Sequence, residues 1–205
     1  MTRTDLPLRE RKKLRNRRLL VDTAIELFGE HGFDEVTVED LVGRVELSPR
    51  TFFRLFDSKE DVVLEPVQRL WGTFTATIGS CELRGPLVAT LERVLVGAIE
   101  SMDDDWAGQF LAGRRIAERT PALAARELRF CADTTVAIGA LLAGRTGLDA
   151  TDLRLRLALE VMLAVWHTAN QDWAVAAGPA DPEWLVGLVR DGFAALPEAL
   201  GLTVG

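Results

Sequence analysis

Apolar residues recur at three- and four-residue steps through most of this chain, and no stretch alternates cleanly. That is the period of α-helices, not of strands. Between Arg11 and Glu30, Leu14, Val21, Ala24, Ile25 and Phe28 form one stripe, while Arg11, Arg15, Arg18, Asp22 and Glu26 fall on another face. The pattern stops at His31-Gly32, where glycine suits the left-handed residue that closes a helix. A short helix is expected from Val38 to Val45, opened by Thr37, whose hydroxyl can accept from the N–H of Asp40. Glu46-Leu47 is too short to be anything but a turn. Ser48 then opens a further helix with Pro49 at its first position, where the missing N–H costs nothing. The inward face of this pair reads Val38, Leu41, Val42, Val45, Leu47, Phe52 and Phe56.

Ser58 caps a fourth helix that is expected to run to about Ser80, with Trp71, Phe74 and Ile78 on one face. Pro66 removes a backbone donor, so a kink or break is expected near Val63–Glu65. Gly85-Pro86 marks a join. Helices then follow through Leu87, Leu91, Val94, Leu95 and Ala98 to near Met102, and from Asp103–Asp105 through Trp106, Phe110, Leu111 and Arg114. Another starts at Thr120-Pro121 and carries Leu123, Leu128, Phe130 and Ile138 to about Ala143. A long helix is expected from about Thr151 to Ala177, ended by Gly178-Pro179. The last opens at Asp181-Pro182-Glu183 and carries Trp184, Leu185, Leu188, Val189 and Phe193. The fold class is all-α, with about nine helices.

Helix, short turn and N-capped helix over Thr37–Lys59 is the layout of a helix-turn-helix, whose second helix is left free to enter a DNA major groove. The net charge of −7 at first opposes a polyanion partner. Its distribution reverses that. Residues 1–59 hold 12 Lys+Arg against 11 Asp+Glu, and the remainder 12 against 20. The first 20 residues carry 8 basic and 2 acidic side chains. A basic end on an acidic body points to local nucleic-acid contact. Residues 1–60 are therefore expected to form the DNA-binding domain, with residues 1–10 as a mobile basic arm, and residues 61–205 a second, helical domain. Cys81 and Cys131 lack the spacing of a disulfide framework or zinc site and read as plain thiols. The basic start lacks the apolar run of a signal peptide, because Asp22 and Glu26 interrupt Leu19–Phe28. No 18-residue uncharged apolar stretch exists, so no membrane span and a cytoplasmic location are expected.

The first 60 residues resemble the DNA-binding domain of TetR-family (tetracycline-repressor-like) transcriptional regulators. The likeness is carried by Ala24, Leu27-Phe28, Gly32-Phe33, Thr37-Val38-Glu39-Asp40-Leu41, Leu47-Ser48-Pro49-Arg50-Thr51-Phe52-Phe53-Arg54 and Phe56-Asp57-Ser58-Lys59-Glu60. The variant S-P-R-T-F-F-R-x-F-x-S-K-E looks like an actinobacterial-type subgroup, and the whole chain is similar in layout to regulators linked to mycofactocin systems. Three positions depart from the family pattern. Phe53 stands where tyrosine is usual, Leu55 where histidine is frequent, and Glu46 where glycine occupies the turn. A positive φ at Glu46 would store about 1 kcal/mol of strain. The resemblance implies that the second domain binds a ligand and forms a homodimer through the last two helices, on a double-stranded DNA operator.

Arg50 is the expected base reader, since its guanidinium can pair bidentately with guanine. Thr51 suits a thymine methyl or a phosphate. Arg54, Lys59 and Thr37 suit phosphates, and Ser48, Pro49 and Phe53 complete the exposed side of the helix. Lys12 and Lys13, with Arg11, Arg15, Arg17 and Arg18, can lie along the backbone or reach a minor groove, or serve as a solubilising tail. The helix Thr151–Ala177 has two apolar faces, Leu155, Leu159, Met162, Trp166 and Trp173 on one and Leu157, Val161, Val165 and Thr168 on the other. Buried on both, it would serve the core with one and, together with Trp184, Leu188 and Phe193, a second copy with the other. Its polar line, Glu160, His167, Asn170 and Gln171, either orients a ligand walled by Trp71, Phe74, Trp106, Phe110 and Trp166 with Arg114 as anion partner, or edges the dimer interface. The two histidines lie in different domains and no catalytic motif appears, so neither enzyme activity nor a cofactor is expected. The function expected is a ligand-responsive repressor, released from a palindromic operator by a small apolar molecule. The alternative is a helical DNA-binding dimer with no effector.

Overall fold

The computed structural model describes residues 7–175 and 180–203. All regular structure among them is α-helical, in ten helices. The first four are α1 (Leu8–His31), α2 (Val38–Arg44), α3 (Pro49–Phe53) and α4 (Lys59–Val63). Then follow α5 (Glu65–Ser80), α6 (Leu87–Glu100), α7 (Trp106–Arg119), α8 (Pro121–Thr146), α9 (Leu153–Val175) and α10 (Pro182–Leu200). The count exceeds nine because the fourth expected helix is two. Leu64 separates α4 from α5, and Pro66 takes the second position of α5, where a helix needs no N–H.

The chain divides into two compact units. One holds the described residues through Gln68 together with Gly108–Leu128; the other holds Arg69–Ala107 and the described residues from Arg129 onward. The first thus takes in most of α7 and the start of α8, which a division at residue 60 assigns elsewhere. The Gly178-Pro179 terminator and the end of the expected helix at Ala177 lie outside the described residues, as do residues 1–6 of the expected arm.

In the first unit the core gathers Leu20, Val21, Ala24, Phe28, Phe33, Val36, Leu41, Val42, Phe52, Leu55, Phe56, Val62 and Val63, with Ala117 and Leu123. Val38, Val45 and Leu47 pack against it half-buried. Leu14 does not join the stripe. Residues 7–15 are all exposed, and α1 begins at Leu8 and not at Arg11. The burial of α1 starts with Asn16 and Leu20.

Gly113 allows a close approach in the same unit: a Cβ there would lie 2.8 Å from the carbonyl oxygen of Val63 at the end of α4. Arg126 of α8 grips Asp61 of α4 through Nε at 3.0 Å and Nη2 at 2.7 Å. Ser58 donates its hydroxyl to the other carboxylate oxygen at 3.1 Å.

The second unit is built on α5 from Arg69, α6, α8 from Arg129, α9 and α10. Trp106 and Trp173 stack with centroids 6.0 Å apart, and the Trp173 indole N–H donates to the Asp181 carbonyl at 3.1 Å. Trp71 meets Phe74 and Trp166 edge to face. Gly192 lets α10 close on α9, because a Cβ would fall 2.8 Å from Val165 Cγ1. Leu155, Leu159, Met162, Trp166 and Trp173 are buried as their stripe requires, but Leu157 is 53% exposed and Leu153 63%. Leu128, at 73%, also lies outside the core, although Leu123 and Ile138 on the same helix are inside. No helix among the described residues is long and apolar enough to cross a membrane.

Candidate nucleic-acid interface

α2, its turn and α3 follow directly from local chemistry. Thr37 and Asp40 form a reciprocal capping box: the Asp40 N–H donates to Thr37 Oγ1, and the Thr37 N–H to Asp40 Oδ2 at 2.8 Å. The Thr37 hydroxyl donates to the same carboxylate at 2.6 Å. That side-chain bond first, then the one from the backbone, holds the Asp40 carboxyl below its ordinary value. Glu46 sits in the turn with φ 53°, the one positive-φ residue other than glycine among the described residues. Ser48 caps α3, accepting from the Thr51 N–H at 3.2 Å, and its hydroxyl bonds that of Thr51 at 3.0 Å. Phe52 is fully buried beneath. One face of this five-residue helix is thereby fixed inward and the other presented.

The presented face carries Ser48, Pro49, Arg50, Phe53 and Arg54, all exposed, with Thr51 half-buried. Arg50 and Arg54 make no hydrogen bond or ion pair within the described residues. Phe53 is 55% exposed and touches the Phe52 ring edge-on. Leu55, which stands where the family often has histidine, faces inward. It is 7% exposed and belongs to the core, so an apolar residue suits the position.

Two cations grouped with the phosphate contacts are engaged internally. Lys59 Nζ donates to the carbonyls of Phe33 at 2.8 Å and Val36 at 3.1 Å, and lies 4.3 Å from the Phe33 ring centroid. Arg17 donates to the Leu55 carbonyl at 2.6 Å and to Glu65 at 3.2 Å, with its guanidinium 4.3 Å over the Phe56 ring. Arg17 therefore ties α1 to the exit of α3 and to the start of α5. The signal was in the register: Arg17 precedes Val21, Ala24 and Phe28 on the buried stripe at helical steps. Lys12 and Lys13 lie one turn earlier, exposed. Sequence reasoning also missed Asp61, Arg126 and Gly113, whose partners are distant in the chain.

The residues grouped as ligand walls divide between the units. Phe110 and Arg114 belong to the first; Trp71, Phe74, Trp106, Trp166, His167 and Asn170 belong to the second. Arg114 pairs with Glu118 at 3.1 Å. The polar line on α9 also divides. Glu160, His167 and Gln171 are exposed, while Asn170 is buried beside Trp166 and Trp173. Two near-complete turns put 160 and 167 on one face, and three residues more reach the next. Phe193 is buried within its own unit, so on α10 it is Trp184 that faces outward.

The family profile for bacterial regulatory proteins of the tetR family matches residues 20–65, and that for the MftR C-terminal domain matches residues 85–201. The HTH-type transcriptional regulator TcmR of Streptomyces glaucescens is 36% identical over 179 residues, 83% of this chain and 78% of that protein. The fold is shared by solved structures, among them the following two. A transcriptional regulator from Aquifex aeolicus VF5 has a TM-score of 0.57 at 16% identity, covering 88% of this chain and 98% of its own. The repressor FadR of Thermus thermophilus, in complex with lauroyl-CoA, has a TM-score of 0.51 at 20% identity, covering 92% and 97%. With its capped helix-turn-helix and helical second part, this chain belongs to the TetR family of bacterial transcriptional regulators.

Proposed function

We propose that this regulator is a dimeric repressor that leaves a palindromic operator when a small apolar molecule binds its second unit. The observation that carries the DNA side is α3: a capped, outward helix whose Arg50 and Arg54 are unengaged in the described chain. Arg50 reads a guanine in the major groove. Ser48 and Arg54 hold phosphates and Thr51 a phosphate or thymine methyl, whereas Thr37, whose hydroxyl and N–H both donate to Asp40, serves as the cap of α2. Pro49 and Phe53 supply apolar contact with sugars and methyl groups. Lys12 and Lys13 run along the backbone on the exposed start of α1. Lys59 keeps one ammonium donor beyond its two carbonyl bonds, enough for a single phosphate contact.

The effector side is supported by the aromatic array around Trp71, Phe74, Trp106 and Trp166, with Asn170 as its buried polar group. Large apolar walls with few polar atoms suit an apolar molecule. The FadR complex with lauroyl-CoA gives a case, on the same fold, of a ligand that carries an apolar acyl chain. The dimer is supported by the outward Leu153 and Leu157 of α9 and Trp184 of α10, with Glu160 and His167 at its polar edge.

The test begins with footprinting upstream of the gene and its neighbours, followed by anisotropy titration on the protected site. Arg50→Ala is expected to weaken binding by about 1–3 kcal/mol and to relax specificity at one base pair. Lys12→Ala with Lys13→Ala should weaken all sequences alike and flatten the salt dependence. Unchanged affinity in Arg50→Ala would remove α3 from the reading role. Thermal shift with lauroyl-CoA as first probe examines the effector, because a ligand of the native state raises stability by mass action. No shift with any apolar probe would favour a DNA-binding dimer without effector.

A further inference from the structure

The first unit contains a cavity of about 530 Å³ between the end of α1, the loop to α2, and α7. This volume falls in the range of small-molecule sites. Its apolar lining includes Phe28 and Phe33, whose ring centroids are 4.9 Å apart, and Ile116 of α7. Arg115 and Arg119, one helical turn apart and exposed, line it from the same helix. Neither guanidinium has an ion pair or hydrogen bond within the described residues. Thr120 lines it too and is only 8% exposed. Its N–H and carbonyl are used by the α7–α8 turn, but its hydroxyl has no partner there. Asp34 and Glu35 add carboxylates from the loop and leave both arginines unpaired.

We propose that this cavity is a second ligand site, separate in composition from the aromatic array, and that it takes an amphipathic anion. The apolar body lies against Phe28, Phe33 and Ile116. A carboxylate or sulfonate is held by Arg115 and Arg119, because guanidinium forks bind such oxyanions bidentately. The Thr120 hydroxyl donates the buried hydrogen bond. Asp34 and Glu35 accept from hydroxyl or amine donors on the body and reject a second negative charge. An occupant touches Phe33, whose carbonyl holds Lys59, so it rests directly on the helix-turn-helix framework. The proposal stands whether or not the second unit has an effector.

The test uses 8-anilinonaphthalene-1-sulfonate, an aromatic sulfonate, titrated into the full chain by fluorescence and by calorimetry to count sites. Arg115→Ala with Arg119→Ala alters only exposed side chains, and its melting temperature should match that of the unaltered chain. It is expected to weaken one site per chain tenfold or more. Ala112→Phe, which fills the cavity from α7, should remove the same site. Equal site number and affinity in all three proteins would overturn the proposal. Loss in Ala112→Phe alone, with the arginine variant unchanged, would overturn the anion assignment.

Discussion

Cations of the same type do opposite work in this protein according to where their heads end. Arg50 and Arg54 reach outward unpaired, while Arg17 and Lys59 close on carbonyls and aromatic faces. Arg50 was legible in the sequence because a capped helix start fixes which side is outward. Lys59 was not, because its partners Phe33 and Val36 lie more than 20 residues away. Glu46 was legible conditionally, since only the backbone decides the sign of φ. Its φ of 53° predicts that Glu46→Gly stabilises the protein by about 0.5–1 kcal/mol, measured by urea unfolding. Burial pushes the Glu127 carboxyl above its ordinary value, with Arg114 opposing and Glu118 reinforcing. The native state then holds that proton more tightly than the unfolded chain. The stability it contributes is complete below the ordinary value and is lost as pH rises through the raised one. Glu127→Gln should therefore melt higher than the unaltered chain at pH 7, and the gap should close below about pH 4.

At the scale of elements, α4 is held from several sides. Lys59, Asp61, Val63 and the following Glu65 are held respectively by loop carbonyls, Arg126, the bare face at Gly113 and Arg17. Ser58 and Pro66 announced its start and its break in the sequence. The contacts that seat it come from α1, α7 and α8. Gly113→Ala would force the Val63 carbonyl to move, which should cost about 1–3 kcal/mol in urea unfolding. An alanine that left stability unchanged would mean α7 can slide away from α4 freely. The first two turns of α1 present the opposite case. Their helix comes from local propensity alone, with no core contact, and the step to a packed helix falls at Asn16–Leu20.

For the whole molecule, the amphipathic arithmetic of α9 matters most. One stripe is fully used inside its unit, and the other leaves Leu153 and Leu157 half or more exposed. These two leucines lie one turn apart on the face proposed above for contact between copies. Leu157→Glu places a charge in the proposed interface between copies. Light scattering should then give a monomer where the unaltered chain gives a dimer, and operator affinity should fall with it, since two half-sites need two recognition helices. A dimer of undiminished stability would move the interface away from this face.

The order of residues alone announces the helical period, the caps at Thr37, Ser48, Ser58 and Asp181, the break before Pro66 and the outward side of α3. Each depends on residues within about four positions of one another, where helix geometry alone sets the spacing. The tertiary structure decided which charged heads are free, which leucines are covered, and that residues 108–128 join the first unit. Those outcomes depend on partners 20 to 90 residues away, such as Arg126 with Asp61 and Gln109 with Asp22, and no local pattern encodes them. Burial and pairing are properties of what surrounds a side chain, and only the assembled fold supplies the surroundings.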